Sequence, residues 1–248
     1  MGRFFITGSS DGLGSLTAKR LVAQGHKVVL HARSEQRAAD AAAACPGAEA
    51  VLVADLSSIN ETKKLAAEAD KLGPYDGVMH NAGLYLGYEK VPGRSGLPSL
   101  FTVNTVAPYV LTCLMSKPRR LVFVSSGLHR AGQPRLDDLP GSGYNDSKLQ
   151  DIMLARAFAR RWPGVESNAV DPGWVPTKMG GSGATGKLDD AVDTFVMATL
   201  GEGAASGKTG TYFARSRVDK HASVADDIGL QERLLEELGK ISGVSVPE

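Results

Sequence analysis

A chain of 248 residues is long enough for one large core and short for two full domains, so a single domain over residues 1–248 is expected. With 28 basic against 27 acidic side chains the formal net charge is +1, which excludes a molecule drawn as a whole to nucleic acid or to an anionic membrane surface. The two cysteines, Cys45 and Cys113, stand far apart and outside any CxxC or Cys/His spacing, which gives a metal cluster or a disulfide framework little support and suits a reducing compartment.

The first apolar run, Arg3–Thr7, stops at a glycine turn and is too short for a secretory signal, so it reads as a strand. Gly2 lacks the Ser or Thr that a myristoylation motif wants, since Ile6 stands there. Helix Gly14–Gln24 follows, then strand Lys27–His31, helix Glu35–Ala44, strand Ala50–Ala54, helix Ile59–Leu72 and strand Gly77–His80. Helix Leu100–Leu114, strand Arg120–Ser125, helix Tyr144–Arg161, strand Glu166–Val170, helix Leu188–Leu200, strand Thr211–Ala214 and a last helix near Ala225–Gly239 complete the order. Continuous apolar strands alternating with helices predict an α/β, doubly wound Rossmann fold, a parallel sheet with helices on both faces and its ligand at the carboxyl ends of the strands. Two long loops reach that edge, 127–143 and the Gly/Ser-rich 180–186, the latter either a solvated linker or a lid. No run approaches a membrane span, and with no other address a cytoplasmic protein is expected.

Three groups of residues carry chemistry. The turn Thr7-Gly8-Ser9-Ser10-Asp11-Gly12-Leu13-Gly14 leads from a strand into a helix, where glycines let backbone N–H groups approach a pyrophosphate. At the end of the second strand stands His31-Ala32-Arg33-Ser34, with no carboxylate for a ribose 2′-hydroxyl and a guanidinium suited to a 2′-phosphate, so NADP is favoured over NAD, although Asp11 would oppose a phosphate. Tyr144 and Lys148 lie four apart on one helix face, so an ammonium stands near a phenol and is expected to lower its pKa. Ser126, with Ser125 as the alternative, closes the fifth strand where a hydroxyl could stabilise charge developing on a substrate oxygen.

Thr7-Gly-x-x-x-Gly-x-Gly14, Asn81-Ala82-Gly83, Ser126, Tyr144-x-x-x-Lys148 and Asp171-Pro172-Gly173, in this order, resemble the short-chain dehydrogenase/reductase family over nearly the whole chain. Val124-Ser125-Ser126-Gly127-Leu128-His129 and the long gap before the tyrosine look most like its retinol-dehydrogenase-like and carbonyl-reductase-like branches. The resemblance implies a seven-stranded sheet in the order 3-2-1-4-5-6-7 and hydride transfer between a nicotinamide and a carbonyl or secondary alcohol. It implies Asn104, Ser126, Tyr144 and Lys148 as the catalytic set: Tyr144 as proton donor and acceptor, Ser126 preferred over Ser125, Lys148 also on the nicotinamide ribose, and Asn104 holding a water that links Lys148 to solvent. It further implies a cofactor site formed by Gly8, Ser10, Asp11, Gly12, Leu13, Gly14, Arg33, Asp55, Leu56, Asn81, Ala82, Gly83, Tyr144, Lys148, Pro172, Gly173, Val175 and Thr177, with no metal.

Leu84, Tyr85, Tyr88, Leu128, His129, Trp174 and Met179 follow these motifs and are the candidate pocket walls, with Tyr85, His129 and Trp174 as substrate contacts. All but His129 are apolar or aromatic, which points to a hydrophobic small-molecule substrate. His129 is either a polar contact or an exposed loop residue. In the resembled family, helices like 100–114 and 144–161 build a dimer interface; the first looks short here, so a homodimer or a monomer is expected. A cofactor-binding protein of this fold without redox turnover is the competing reading, and a non-redox lyase or cyclase a rarer one.

Overall fold

Eight strands make one sheet in the order β3-β2-β1-β4-β5-β6-β7-β8 in this computed structural model, which describes residues 1–247. The strands are β1 Arg3–Ile6, β2 Lys27–Ala32, β3 Ala50–Val53, β4 Gly77–His80, β5 Arg120–Val124, β6 Glu166–Asp171, β7 Tyr212–Ala214 and β8 Arg217–Val218. Neighbours pair in parallel up to β7, as Phe5 beside Val29 and Val78 illustrates, and β8 alone runs antiparallel. The expectation of seven strands is therefore corrected. The two-residue β8 returns through a hairpin in which Arg215 and Ser216 adopt positive φ, too short a run to leave an alternating pattern.

The helices are α1 Gly12–Ala23, α2 Glu35–Ala44, α3 Ile59–Leu72, α4 Ser99–Phe101, α5 Ala107–Leu114, α6 Tyr144–Arg161, α7 Leu188–Leu200 and α8 Ile228–Ser242. Side chains alternate across each strand, so Phe4 and Ile6 join Ala18, Leu21 and Phe195 in a core under α1, α2 and α7. Phe5 enters the opposite core with Leu65, Val110 and Phe158, under α3, α5 and α6. The expected helix 100–114 is not continuous: a π turn, Thr102–Val106, joins α4 to α5 and buries all five of its residues.

The start of α6 is fixed by Asp146, whose carboxylate accepts from the N–H groups of Gly143 and Gln133 and from Arg135 Nε at 2.8–3.0 Å. These bonds pin loop 127–143 to the first turn of the helix that carries Tyr144. From Tyr144 to Phe158 every residue but Asn145 and Arg156 is buried. That cover comes from β5, β6, the turn 127–131 and α8, which is capped by Asp227 and packs on α5 and α6. Tyr109 Oη donates to Val244 O at 2.7 Å and Trp162 Nε1 to Pro247 O at 3.3 Å, so the segment after α8 is tied down as well. Among the described residues no helix is long and apolar enough to cross a membrane.

Candidate active site

The turn after β1 is shaped by backbone demands that only glycine meets. Gly8 has φ +61°, and a Cβ there would come within 2.7 Å of Ala82 Cα; a Cβ on Gly14 would lie 2.4 Å from Asn81 Nδ2. Asn81 holds this approach by donating through Nδ2 to the carbonyls of Thr7 and Gly8 at 2.9 and 3.0 Å, while Thr7 Oγ1 accepts from the N–H groups of Asn81 and Ala82. Asp11 caps α1 at Gly12 N, so the helix begins two residues before its expected start and directs its N-terminus at the turn. A Cβ at Gly12 would meet nothing, because this residue opens on a cleft whose other wall is Pro176, Thr177 and Lys178. Concave backbone at the head of a three-turn helix fits a dinucleotide pyrophosphate.

The end of β2 holds the turn from the other side. His31 is buried, accepts from Gly8 N at Nδ1 (2.9 Å) and donates from Nε2 to Ala54 O (3.0 Å). Burial lowers its pKa to about 4, so it stays neutral and keeps the acceptor that Gly8 needs. Arg33 is exposed. Arg37, one helical turn later, reaches back to Ser10 Oγ at 3.3 Å and Asp11 Oδ2 at 3.2 Å. Asp11 also pairs with Lys178; that bond first, with the Gly12 N–H and Arg37 behind it, holds the carboxyl down at about 2.

At the carboxyl end of β5, the Ser126 hydroxyl accepts from Leu128 N at 3.3 Å and lies near enough to the Tyr144 phenol to favour its ionised form. Ser125 is buried and donates to Lys148 O at 2.7 Å, which leaves Ser126 as the serine that faces the site. Lys148 Nζ lies 5.6 Å from the centre of the Tyr144 ring, and Tyr85 packs edge-on to that ring at 4.6 Å. The expected depression of the phenol pKa is not found. Burial raises it, and Lys148 and Ser126, which pull it down, do not recover the difference.

Asn104 sits in the π turn, where Oδ1 accepts from Leu84 N at 2.7 Å and Nδ2 donates to Leu84 O and Ser147 Oγ. Its amide clamps the segment after Asn81-Ala82-Gly83, and Oδ1 keeps a second lone pair. Gly83 lies beside Asn104 and Lys148. Asp55 Oδ1 accepts from Ser57 N at 3.0 Å and Leu56 is buried, so both build the turn after β3.

Beyond β6, Asp171 accepts from Gly173 N and from Tyr212 Oη, fixing the turn through Pro172. Val175 is buried, and Thr177 Oγ1 accepts from Gly180 N at 3.1 Å. Segment 180–186 is folded around Trp174, whose Nε1 donates to Gly180 O at 2.9 Å and whose carbonyl accepts from Gly186 N at 2.8 Å. The Trp174 ring is nonetheless 60% exposed, and Leu86, Tyr88, Leu128 and Met179 are exposed in neighbouring edge loops. His129 corrects both of its expected roles: it is fully buried, with Nδ1 2.6 Å from Ser126 O and Nε2 accepting from Ala222 N at 3.2 Å. It braces the turn below Ser126 and has no nitrogen left for a substrate.

His31, Arg37, Lys178 and Asp151 escape the sequence reading. Arg37 had a signal, a second arginine one helical turn after Arg33; His31 and Lys178 act through contacts between distant segments.

The short chain dehydrogenase family profile matches residues 3–187. The chain is 49% identical to an uncharacterized oxidoreductase of Emericella nidulans, with 100% of this chain and 99% of that protein covered. It is 41% identical to a short-chain dehydrogenase, chyC, of Penicillium rubens over 100% of both. Its fold is similar to that of a blue fluorescent protein from a metagenomic library solved with NADPH, at a TM-score of 0.70 and 24% identity over 86% of this chain and 95% of that one. With the glycine turn, the Asn81 clamp and the Tyr144–Lys148 helix assembled at one sheet edge, these matches establish that the chain belongs to the short-chain dehydrogenase/reductase family of oxidoreductases.

Proposed function

We propose that the protein is an NADPH-dependent reductase of a ketone or aldehyde carried on a hydrophobic small molecule. The observation that carries this reading is the buried Tyr144 phenol with the Lys148 ammonium 5.6 Å from its ring centre and the Ser126 hydroxyl close by. When bound, the reduced nicotinamide supplies a hydride to the carbonyl carbon. Ser126 donates to the carbonyl oxygen, and Tyr144 Oη delivers the proton as charge gathers there. A phenol held above its ordinary pKa keeps its proton at neutral pH, so the site starts as a donor, the state that reduction needs. Lys148 stabilises the phenolate left behind. Exposed Leu86, Tyr88, Leu128, Trp174 and Met179 suit an apolar substrate. NADPH oxidation with a panel of aromatic and aliphatic ketones tests this; tight NADPH binding with no turnover of any carbonyl would instead leave a binding protein.

The preference for NADPH rests on Arg33 and on Arg37, which stands at Ser10 and Asp11 where a 2′-phosphate would lie. A similar fold solved with NADPH supports it. Arg37→Ala is expected to weaken NADPH binding by about tenfold or more, the scale of one charged hydrogen bond, while NADH binding changes little. Fluorescence titration of both cofactors measures the split, and an equal loss for both would remove Arg37 from phosphate recognition.

A further inference from the structure

Lys148 and Asp151 form the most deeply buried ion pair among the described residues, with side chains 6% and 2% exposed. Nζ donates to Asp151 Oδ2 at 2.8 Å and to Val124 O at 2.8 Å, so the amine is anchored both within α6 and to the end of β5. Their i,i+3 spacing puts both on one helix face. An ammonium this far from water, left alone, discharges, because burial penalises the charged form by up to several pKa units. A neutral amine beneath Tyr144 would exert no field on a phenolate and could not support it.

We propose that Asp151 is a positioning residue of the active site, the counter-ion that keeps Lys148 an ammonium and fixes it beneath Tyr144. The inference rests on reading Tyr144 and Lys148 as the acting pair. The ionisable groups that act on Lys148 are Asp151 and Tyr144, and Tyr144 in turn feels Tyr85. From β5 and its end the neighbours are the Val124 carbonyl and the Ser126 hydroxyl, and from the π turn the neutral amide of Asn104. Asp151 is therefore the negative charge at hand. Burial draws Lys148 down, but the Asp151 carboxylate, ahead of Tyr144, more than restores it. Burial likewise raises Asp151, to about 6, against the pull of Lys148. The carboxylate also opposes part of the lysine's field at the phenol, which accords with the raised Tyr144.

The test is a ¹³C NMR titration of the lysine ε-carbons of the full chain, with the Lys148 signal identified by its loss in Lys148→Arg. In the wild type Lys148 is expected to remain an ammonium past about pH 9. In Asp151→Asn its midpoint falls by about two pH units or more, and Asp151→Glu recovers most of the shift. A wild-type midpoint below about pH 9 overturns the proposal whether or not any variant folds. So does an unmoved midpoint in folded Asp151→Asn. In ketone reduction, kcat of Asp151→Asn should fall as pH rises through the new Lys148 midpoint, with the KM for ketone little changed. A wild type that reduces no ketone defeats the functional reading alone, since the titration decides the ion pair without substrate.

Discussion

Tyr144→Phe is expected to lower kcat for ketone reduction by roughly 100- to 10,000-fold, the range that a positioned general acid contributes. The ring is 9% exposed and packed edge-on against Tyr85, so phenylalanine fills the same space and the loss isolates one hydroxyl. Affinity for NADPH should stay within about twofold, because the pyrophosphate turn and Arg37 lie on other elements. Steady-state kinetics beside a direct binding titration separates the two quantities. Unchanged kcat would remove Tyr144 as the proton donor, and Ser126 would be the next group to examine.

The largest stability effect should come from Phe123→Ala. Phe123 is fully buried in β5, with its ring parallel to Phe158 at 6.3 Å and tilted against His80 at 4.8 Å. Strands on both sides and α6 above leave little freedom for the site to collapse, so a loss of about 3–5 kcal/mol is expected in urea unfolding. The next carbonyl along, Val124 O, anchors Lys148, so the cavity should also loosen the ammonium. A loss under about 1.5 kcal/mol would mean that neighbouring side chains refill the space.

Much of this architecture was legible in the residues themselves. β1 to β5 are largely apolar runs between turn residues, β6 carries fewer apolar residues and β7 follows Gly210; the bounds of all seven fell within one residue of those expected. Periodicity could not separate the π turn at 102–106 from α-helix, since all five of its residues are buried and no exposed face marks the change. Asp11 as a cap depends on side-chain geometry, which moved the start of α1 to Gly12. The site divides similarly. Tyr144 and Lys148 share a face by spacing alone, but the direction of the phenol's pKa depends on how much water the folded chain removes. His129 reads as a loop histidine until Ser126 O and Ala222 N close around it. Asp151 was in plain view three residues beyond Lys148; what could not be read was that both side chains turn inward.

α8 closes over the C-terminal end of α6, where Arg160 and Arg161 both pair with Glu232 and Trp162 reaches Pro247 O. Trimming residues 228–247 would take Leu234, Leu235 and Leu238 out of the core they share with α6, so the truncated chain should unfold at a lower urea midpoint.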